Sequence, residues 1–222
     1  MEKTNRGMLK RSSDSLITKI LARSVSVRVT PLLAKTFITP LQVTIASLIV
    51  GLCAALAGSQ PKWAFSLFAA ILLECSHILD CVDGELARLT GRGNPFAATL
   101  DPISDRVKDA AIIYAGTVYA SSVSVLGMSK AQIFTVGMFA LCFWNIYIYI
   151  VDAYLNPVLK KRASANGKEV SGIYLGLYDF FIYGGIFLWI SNLFKYFTLF
   201  ITLIAFAGTF IQVERLRRAY KA

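Results

Sequence analysis

Five aspartates lie close together in an otherwise apolar part of the sequence: Asp80, Asp83, Asp101, Asp105 and Asp109. Residues three or four positions apart share one face of an α-helix. The first two therefore share a face of one predicted helix, and the last three share a face of the next. The intervening turn at residues 91–95 contains two glycines and a proline. It is short enough to make the two helices antiparallel neighbours, so we expect their acidic faces to meet.

Four of these carboxylates, Asp80, Asp83, Asp101 and Asp105, can converge in one partly dry site. They cannot all remain ionised there without a compensating cation. Oxygen ligands without a supporting His or Cys favour a hard divalent ion, Mg²⁺ or Mn²⁺. Four carboxylates are enough for two ions, an arrangement typical of transfer reactions at phosphorus.

The face that carries Asp80 and Asp83 also carries Gly84, Ala87 and Arg88. Gly84 and Ala87 have almost no side chain, so a phosphorylated ligand can approach the helix backbone closely. Arg88 adds a permanent cation with a geometry suited to phosphate. These three residues are predicted to bind substrate.

A simpler interpretation is that the aspartates pair with nearby basic residues, which are Arg88, Arg92, Arg106 and Lys108. Isolated acids near a helix end usually have such partners. Four acids at helical spacing on two facing helices, beside two small residues, favour the metal site instead. Asp109 is expected to orient the ligands rather than to bind the ion.

The composition indicates that these residues lie in an integral membrane protein. Of the 222 residues, 56% are hydrophobic and 16% are charged, and the mean hydropathy is +0.59. About 20 apolar residues form a helix long enough to cross a bilayer. The sequence contains six such stretches, near residues 39–59, 63–89, 96–123, 131–156, 172–192 and 194–213. We therefore predict an all-α membrane protein with six transmembrane helices.

The distribution of basic residues predicts the orientation. If the helices cross in alternate directions, all but three of the 23 Lys and Arg residues fall on one side; the exceptions are Lys62, Lys130 and Lys195. Basic residues accumulate on the cytoplasmic side of membrane proteins. Both termini and the aspartate cluster are therefore expected to face the cytoplasm, with the chain as a multi-pass protein of the cell membrane.

The N-terminal segment, residues 1–35, is predicted to contain an amphipathic helix in the cytoplasmic interface. Ser12, Ser13 or Asp14 can cap it. Leu16, Ile17, Ile20 and Leu21 then share one face, and Lys19 and Arg23 lie toward the other. Residues 36–214 form the predicted membrane domain, and residues 215–222 form a basic cytoplasmic tail.

The composition also raises nucleic-acid binding and disulfide bonds, and both are set aside. The net charge of +10 could suggest nucleic-acid binding, but the basic residues flank apolar segments, where they can meet anionic lipid headgroups. No basic stretch has the stacking aromatic residues of a nucleic-acid site. The four cysteines lie in apolar stretches without paired spacing and are expected to be buried thiols rather than disulfides: Cys53, Cys75, Cys81 and Cys142.

The aspartate motif resembles the signature of the CDP-alcohol phosphotransferase family. It consists of Asp80-x2-Asp83-Gly84-x2-Ala87-Arg88, eight further residues, and Ala97-x3-Asp101-x3-Asp105. The family has glycine where this chain has Ala97, and the other positions agree. Residues 39–44, Thr-Pro-Leu-Gln-Val-Thr, also resemble the opening of the family's first membrane helix, where Asn or Asp is common in place of Leu41.

This resemblance implies a membrane transferase of phospholipid biosynthesis. It would move a substituted phosphate from a CDP-alcohol, such as CDP-diacylglycerol, to a hydroxyl acceptor such as a polyol phosphate, and release CMP. Asp80, Asp83, Asp101 and Asp105 would bind two Mg²⁺ or Mn²⁺ ions, and Asp105 would also be the general base. The implied substrate-binding residues are Gly84, Ala87, Arg88, Asn94, Pro40, Leu41, Gln42 and Val43. A homodimer is compatible with the family.

Several alternatives stay open. Glu85, directly after Asp83-Gly84, resembles family members that use soluble CDP-inositol to make an inositol phosphodiester. Lys160, Lys161 and Arg162 either anchor the chain at lipid headgroups or bind a phosphate of the acceptor. More distant alternatives are an intramembrane prenyltransferase, which usually has two separate Asp-rich motifs, and a cation transporter, whose ion site would lie nearer the midplane.

Overall fold

The computed structural model describes residues 16–157 and 177–221, and the described residues contain helices but no strand. The helices are α1 (Leu16–Ile20), α2 (Ala22–Leu33), α3 (Pro40–Gly58), α4 (Trp63–Thr90), α5 (Pro95–Val123), α6 (Lys130–Tyr149), α7 (Leu177–Ile190) and α8 (Phe197–Lys221). A π-helical segment, Ile150–Leu155, extends α6, and a 3₁₀ turn, Phe194–Tyr196, precedes α8. The all-helical fold class is confirmed.

Within the described residues, four stretches are long and apolar enough to cross a bilayer: Pro40–Gly58, Trp63–Thr90, Lys130–Tyr154 and Phe194–Arg218. Helix α5 corresponds to the third predicted span but carries five charged residues in its first half. For the fifth predicted span, the described apolar part covers only Phe180–Ile190. Large apolar side chains such as Leu56, Ile71 and Leu203 are exposed, as expected where lipid replaces water around a helix.

Local sequence signals define the beginnings of the helices near the acidic cluster. Thr39 and Gln42 form a capping box at the start of α3, and Pro40 occupies the first helical position. Asn94 caps α5 in a similar way, with Pro95 next to it. Helix α4 ends at Gly91, whose φ of 65° is in the left-handed region that glycine adopts without strain.

The packing of α3, α4 and α5 departs from the predicted arrangement. Helices α4 and α5 each pack extensively along α3, but their backbones make few close approaches to each other. The two helices are therefore not a tightly packed antiparallel pair. They lie side by side on α3 and meet through side chains, such as Lys108 on α5 and Asp80 on α4.

Small residues allow the other helices to pack closely. A Cβ atom at Gly58 would collide with the ring of Trp189, and one at Gly137 would collide with Thr117. Aromatic rings then fill the core between α6, α7 and α8; Trp144 stacks on Phe181 with ring centroids 4.3 Å apart. These contacts hold the second half of the bundle together.

The N-terminal helices differ from the prediction at Arg23. This residue, expected toward the solvated face, is buried against α4, whereas the apolar residues Ile20 and Leu21 are exposed. The cause is Glu85 on α4, whose carboxylate pairs with Arg23. Helix α2 therefore packs against α4 through polar residues and leaves apolar residues on its outer surface. The proposed capping residues 12–14 lie outside the described residues. At the other end, α8 continues as a helix through the predicted tail.

The cysteine prediction is partly wrong. All four cysteines are free thiols, but only Cys81 is buried. Cys53, Cys75 and Cys142 are exposed on the outside of the bundle. An apolar sequence context predicts burial in a soluble protein, but in a bundle with an apolar exterior it does not separate the core from the outer surface.

Candidate functional site

Three of the four predicted metal ligands meet in the space between α4 and α5. One carboxylate oxygen from each of Asp80, Asp101 and Asp105 lies within 4.8 Å of the other two. Asp80 comes from the last turns of α4, and Asp101 and Asp105 come from one face of α5, as their i, i+4 spacing predicts. All three are half-buried, which keeps them accessible to an ion or a substrate.

Asp83 is more deeply buried and is held by α3. The hydroxyl of Thr44 donates a hydrogen bond of 2.6 Å to Asp83 Oδ2. The same hydroxyl is also 3.2 Å from the carbonyl oxygen of Pro40, one turn earlier. Thr44 thus fixes the orientation of Asp83 relative to the three other carboxylates.

Lys108 enters the cluster from α5. Its ammonium nitrogen lies 2.8 Å from Asp80 Oδ1 and 2.9 Å from Asp105 Oδ1. It also donates a hydrogen bond of 3.0 Å to the hydroxyl of Ser47 on α3. The simpler interpretation of the sequence, in which basic residues pair with the aspartates, is therefore correct for this lysine.

Asp109 lies beside the cluster and is buried. It accepts a hydrogen bond of 2.8 Å from the indole nitrogen of Trp144 on α6, and Arg106 lies 3.3 Å from the same oxygen. These contacts connect α5 to α6 and orient the face that presents Asp105. The structure thus places Asp109 at the contact between α5 and α6, one turn from Asp105.

The small residues of the motif lie next to Arg88, as predicted. A Cβ atom at Gly84 would be 3.2 Å from a guanidinium nitrogen of Arg88, so glycine allows this side chain to lie across the helix backbone. Arg88 is exposed and Ala87 is half-buried. An exposed guanidinium beside a bare stretch of helix has a geometry suited to a phosphate ligand.

Other predicted substrate-binding residues have local structural roles. Asn94 accepts a hydrogen bond of 3.0 Å from the backbone nitrogen of Ala97, and Gln42 accepts one of 2.9 Å from the backbone nitrogen of Thr39. Val43 is buried with Val82 and Leu86. Pro40 is buried and Leu41 is half-buried at the start of α3. Lys160, Lys161 and Arg162 lie outside the described residues.

Glu85 faces away from the cluster and connects α4 to α2. Its side chain is fully buried, and Arg23 lies 2.7 Å from Oε1. Ser26 donates a hydrogen bond of 2.7 Å to the same oxygen, and Thr30 donates one of 2.6 Å to Oε2. Arg23 also donates to the carbonyl oxygen of Cys81. These contacts hold the N-terminal helix against the helix that carries Asp80 and Asp83.

The donor set fits a hard divalent cation. The three convergent ligands are carboxylates, and Asp83 is adjacent with its orientation fixed by a hydroxyl. Mg²⁺ and Mn²⁺ prefer such oxygen ligands, and an arrangement that combines several carboxylates in a partly buried space requires positive charge. Lys108 supplies part of this charge.

The sequence analysis assigned the first residues of α3 to substrate binding but missed a second set of residues on the same helix. Thr44, Ser47 and Gly51 follow i, i+3, i+7 and face α4 and α5. A Cβ atom at Gly51 would lie 2.9 Å from two carbons of the Lys108 side chain. The helical spacing of these small and polar residues in an apolar helix was the signal that could have identified this face.

Comparisons with known proteins agree with the geometry. A protein of Aquifex aeolicus named bifunctional IPC transferase and DIPP synthase is 30% identical over 84% of this chain and 41% of its own length. The phosphatidylinositol phosphate synthase of Corynebacterium glutamicum is 36% identical over 40% of each chain. The chain thus spans less than half the length of these two relatives.

Solved structures show the same fold. The phosphatidylinositol phosphate synthase of Mycobacterium tuberculosis, in complex with manganese and citrate, superposes with a TM-score of 0.58 and 23% identity over 88% of this chain and 89% of its own. Its complex with CDP-DAG gives a TM-score of 0.58 and 22% identity over 89% and 94%. The sequence profile described as CDP-alcohol phosphatidyltransferase matches residues 36–211, a range that contains the entire carboxylate site, and the chain therefore belongs to the CDP-alcohol phosphatidyltransferase family.

Proposed function

We propose that the chain transfers a substituted phosphate from a CDP-alcohol to a hydroxyl acceptor and releases CMP. The observation that carries this proposal is the convergence of Asp80, Asp101 and Asp105 within 4.8 Å, in a motif with the family's spacing. Asp83 completes the set of proposed ligands. The bare helix surface at Gly84, with Arg88 above it, supports binding of the diphosphate at the same place.

In the proposed reaction, Asp105 accepts the proton of the acceptor hydroxyl. The hydroxyl oxygen then forms a bond to the phosphorus that carries the donor alcohol, and the bond from that phosphorus to the bridging oxygen breaks. CMP leaves with this oxygen. Arg88 binds the diphosphate and orients it. Mg²⁺ or Mn²⁺, bound as two ions by the four aspartates, would supply positive charge that stabilises the negative charge on the diphosphate.

CDP-diacylglycerol is the donor that we propose first. The exposed apolar surface of the helices can contact acyl chains while the carboxylates lie in an accessible space at the ends of α4 and α5. A protein of the same fold has been solved with CDP-DAG, which makes this donor compatible with the fold. The proposed acceptor is a polyol phosphate, and Lys160, Lys161 and Arg162 stay predicted ligands of its phosphate.

CDP-inositol is the second candidate donor. The Aquifex aeolicus relative, which has DIPP synthase in its name, matches 84% of the chain, and this match supports CDP-inositol as a candidate donor. Glu85 first suggested this alternative from its position after Gly84. Its buried contacts with α2 give it a structural role instead, so they do not support a direct contact with the donor.

The proposed membrane arrangement has six crossings, through α3 to α8, with both termini and the carboxylates in the cytoplasm. The positions of the basic residues support it. Lys62 and Lys130 lie at the beginnings of α4 and α6, whereas Asp80 and Asp83 lie toward the end of α4. In this arrangement α1 and α2 lie at the cytoplasmic interface, with exposed apolar residues such as Ile20 and Leu32 toward the lipid. A homodimer is also proposed, and cross-linking in membranes tests it.

The experiment that tests the function is CMP release by the purified protein in lipid. CDP-diacylglycerol or CDP-inositol would be supplied with each of several polyol phosphates, with and without Mg²⁺ or Mn²⁺. We expect metal-dependent CMP release from one pairing. If folded protein releases no CMP from any pairing, the transferase proposal is wrong. Release of CMP would also exclude the two distant alternatives, since neither a prenyltransferase nor a cation transporter produces it.

A further inference from the structure

The ammonium group of Lys108 occupies the place between two proposed metal ligands. Its nitrogen lies 2.8 Å from Asp80 and 2.9 Å from Asp105, and these contacts connect α5 to α4. Only 7% of the lysine is exposed. A cation that bridges two carboxylates from different helices neutralises part of their repulsion, which would otherwise separate the helices.

The protein provides a specific space for this side chain. Gly51 on α3 faces the aliphatic part of Lys108, and a Cβ atom there would lie only 2.9 Å from its Cγ and Cδ. At the end of the chain, the hydroxyl of Ser47 accepts a hydrogen bond of 3.0 Å from the ammonium. Ser47 is fixed in turn by its bonds to Ser76 on α4. The lysine is therefore built into the site and is not a solvated surface charge.

We infer that Lys108 is an internal counter-ion that holds the carboxylates together in the metal-free protein and is displaced from them when the divalent ion binds. This inference rests on the proposed assignment of Asp80 and Asp105 as metal ligands. Mg²⁺ binds carboxylate oxygens at about 2.0–2.1 Å, so such an ion competes directly for the oxygen lone pairs that now accept hydrogen bonds from the ammonium. Ser47 is a neutral acceptor to which the displaced ammonium remains bonded.

Removal of the Lys108 ammonium should lower the stability of the metal-free protein and raise its affinity for the metal ion. Without metal, removal of the ammonium leaves the carboxylates of Asp80 and Asp105 without this partner, and such removal destabilises a buried ion pair. With metal, the same removal eliminates a competitor, so the ion binds more tightly. A lysine that helped to hold the ion would, by contrast, weaken metal binding when removed.

The test is Mn²⁺ binding to the purified protein in lipid nanodiscs, without substrate, measured by the paramagnetic resonance signal of free Mn²⁺. We expect Lys108→Met to decrease the dissociation constant about tenfold, the factor that corresponds to about 1.4 kcal/mol. In chelator, the same variant should unfold at a lower temperature than the wild type, and saturating Mn²⁺ should reduce the difference. Lys130→Met, which removes an exposed lysine at the far end of α6, should change neither quantity.

Gly51→Ala tests the same inference without removing a charge. The added methyl group forces the lysine chain away from its present path, so we expect tighter Mn²⁺ binding, by about threefold, with Lys108 still present. This variant decides the question if Lys108→Met does not fold. Unchanged or weaker Mn²⁺ binding in the folded variants would overturn the inference.

Two further variants separate this inference from the proposed metal site. Asp80→Asn and Asp105→Asn should each weaken Mn²⁺ binding. If they do so and the changes at Lys108 and Gly51 have no effect, the site is correct and the counter-ion role is wrong. If the two asparagine variants bind Mn²⁺ as the wild type does, the metal site itself is wrong and the inference falls with it.

Discussion

Thr44 on α3 donates a hydrogen bond of 2.6 Å to Asp83 on α4, and this bond connects a helix without any acidic residue to the carboxylate site. Asp83 is the most deeply buried of the four proposed ligands. A carboxylate ligand that is itself hydrogen-bonded is fixed in the orientation that the ion requires. In the proposed metal site, helix α3 would therefore act through Thr44, which orients Asp83, although the helix supplies no ligand.

Replacement of Thr44 by valine should weaken metal activation while the chemistry at saturating metal is retained. Valine keeps the shape and removes the hydroxyl, and loss of such a supporting bond typically costs about 10–100-fold in metal affinity or activity. The measurement is CMP release as a function of Mg²⁺ or Mn²⁺ concentration. Thr44→Ser, which keeps the hydroxyl, is the matched control. Identical metal activation in Thr44→Val and the wild type would contradict the role of this bond.

Glu85→Gln should destabilise the protein strongly. The change removes the charge that a buried Arg23 faces at 2.7 Å, and breaking a buried pair in this way costs about 3–5 kcal/mol. Thermal unfolding of the purified protein in detergent checks the prediction. Glu214→Gln is the control, because Glu214 pairs with arginines on the exposed surface of α8 and its loss should cost less than about 0.5 kcal/mol. Equal unfolding temperatures for the two variants would show that the α2–α4 contact contributes no stability.

Ala97→Gly, which restores the residue typical of the family, should be active with a changed Michaelis constant for the donor. Ala97 is only 8% exposed and lies in the first turn of α5, four residues before Asp101. Removal of its methyl group changes the space near the site without changing a ligand. Ala98→Gly, at the exposed neighbouring position, controls for the helix propensity of glycine, about 1 kcal/mol. Complete loss of activity in Ala97→Gly, with Ala98→Gly active, would contradict the prediction that the methyl group of Ala97 affects only the space near the site.

The proposed orientation predicts which loops are accessible from the cytoplasm. In a variant without the native cysteines, Ser164→Cys should react with a membrane-impermeant thiol reagent from the cytoplasmic side, and Met128→Cys should react from the other side. The native thiols must be replaced because Cys53, Cys75 and Cys142 are exposed. The reverse labelling pattern would overturn the orientation of the whole bundle.

Helical periodicity predicted the carboxylate site because its information is local. Asp101 and Asp105 share a face through their spacing alone, and Asp80 occupies the facing position through the short turn at residues 91–95. Apolar stretches of about 20 residues, and the breaks between them, predicted the bounds of α3, α4, α5 and α6 with its π-helical extension to within a few residues. Neither pattern predicted that the backbones of α4 and α5 pack on α3 rather than closely on each other, because interhelical distances depend on the side chains of a third helix.

The contacts that sequence reasoning missed join residues far apart in the chain. Arg23 and Glu85 are separated by 62 positions, and Lys108 and Ser47 by 61. A basic residue near an apolar face was interpreted as solvated because this is the usual place for an unpaired charge. Only the position of Glu85 on the adjacent helix explains why Arg23 is buried, and no local pattern contains that information.

The measurement that tests the central claim most directly compares CMP release by the wild type and by Asp105→Asn at saturating metal. Asparagine keeps the size of the side chain but cannot accept the proton of the acceptor hydroxyl. We predict that turnover falls by at least about 100-fold, the contribution of a general base, while the CDP-alcohol still binds with a dissociation constant within about threefold of the wild type. Turnover near the wild-type rate in Asp105→Asn, with the protein folded and the donor bound, would contradict the assignment of this carboxylate cluster as the catalytic site.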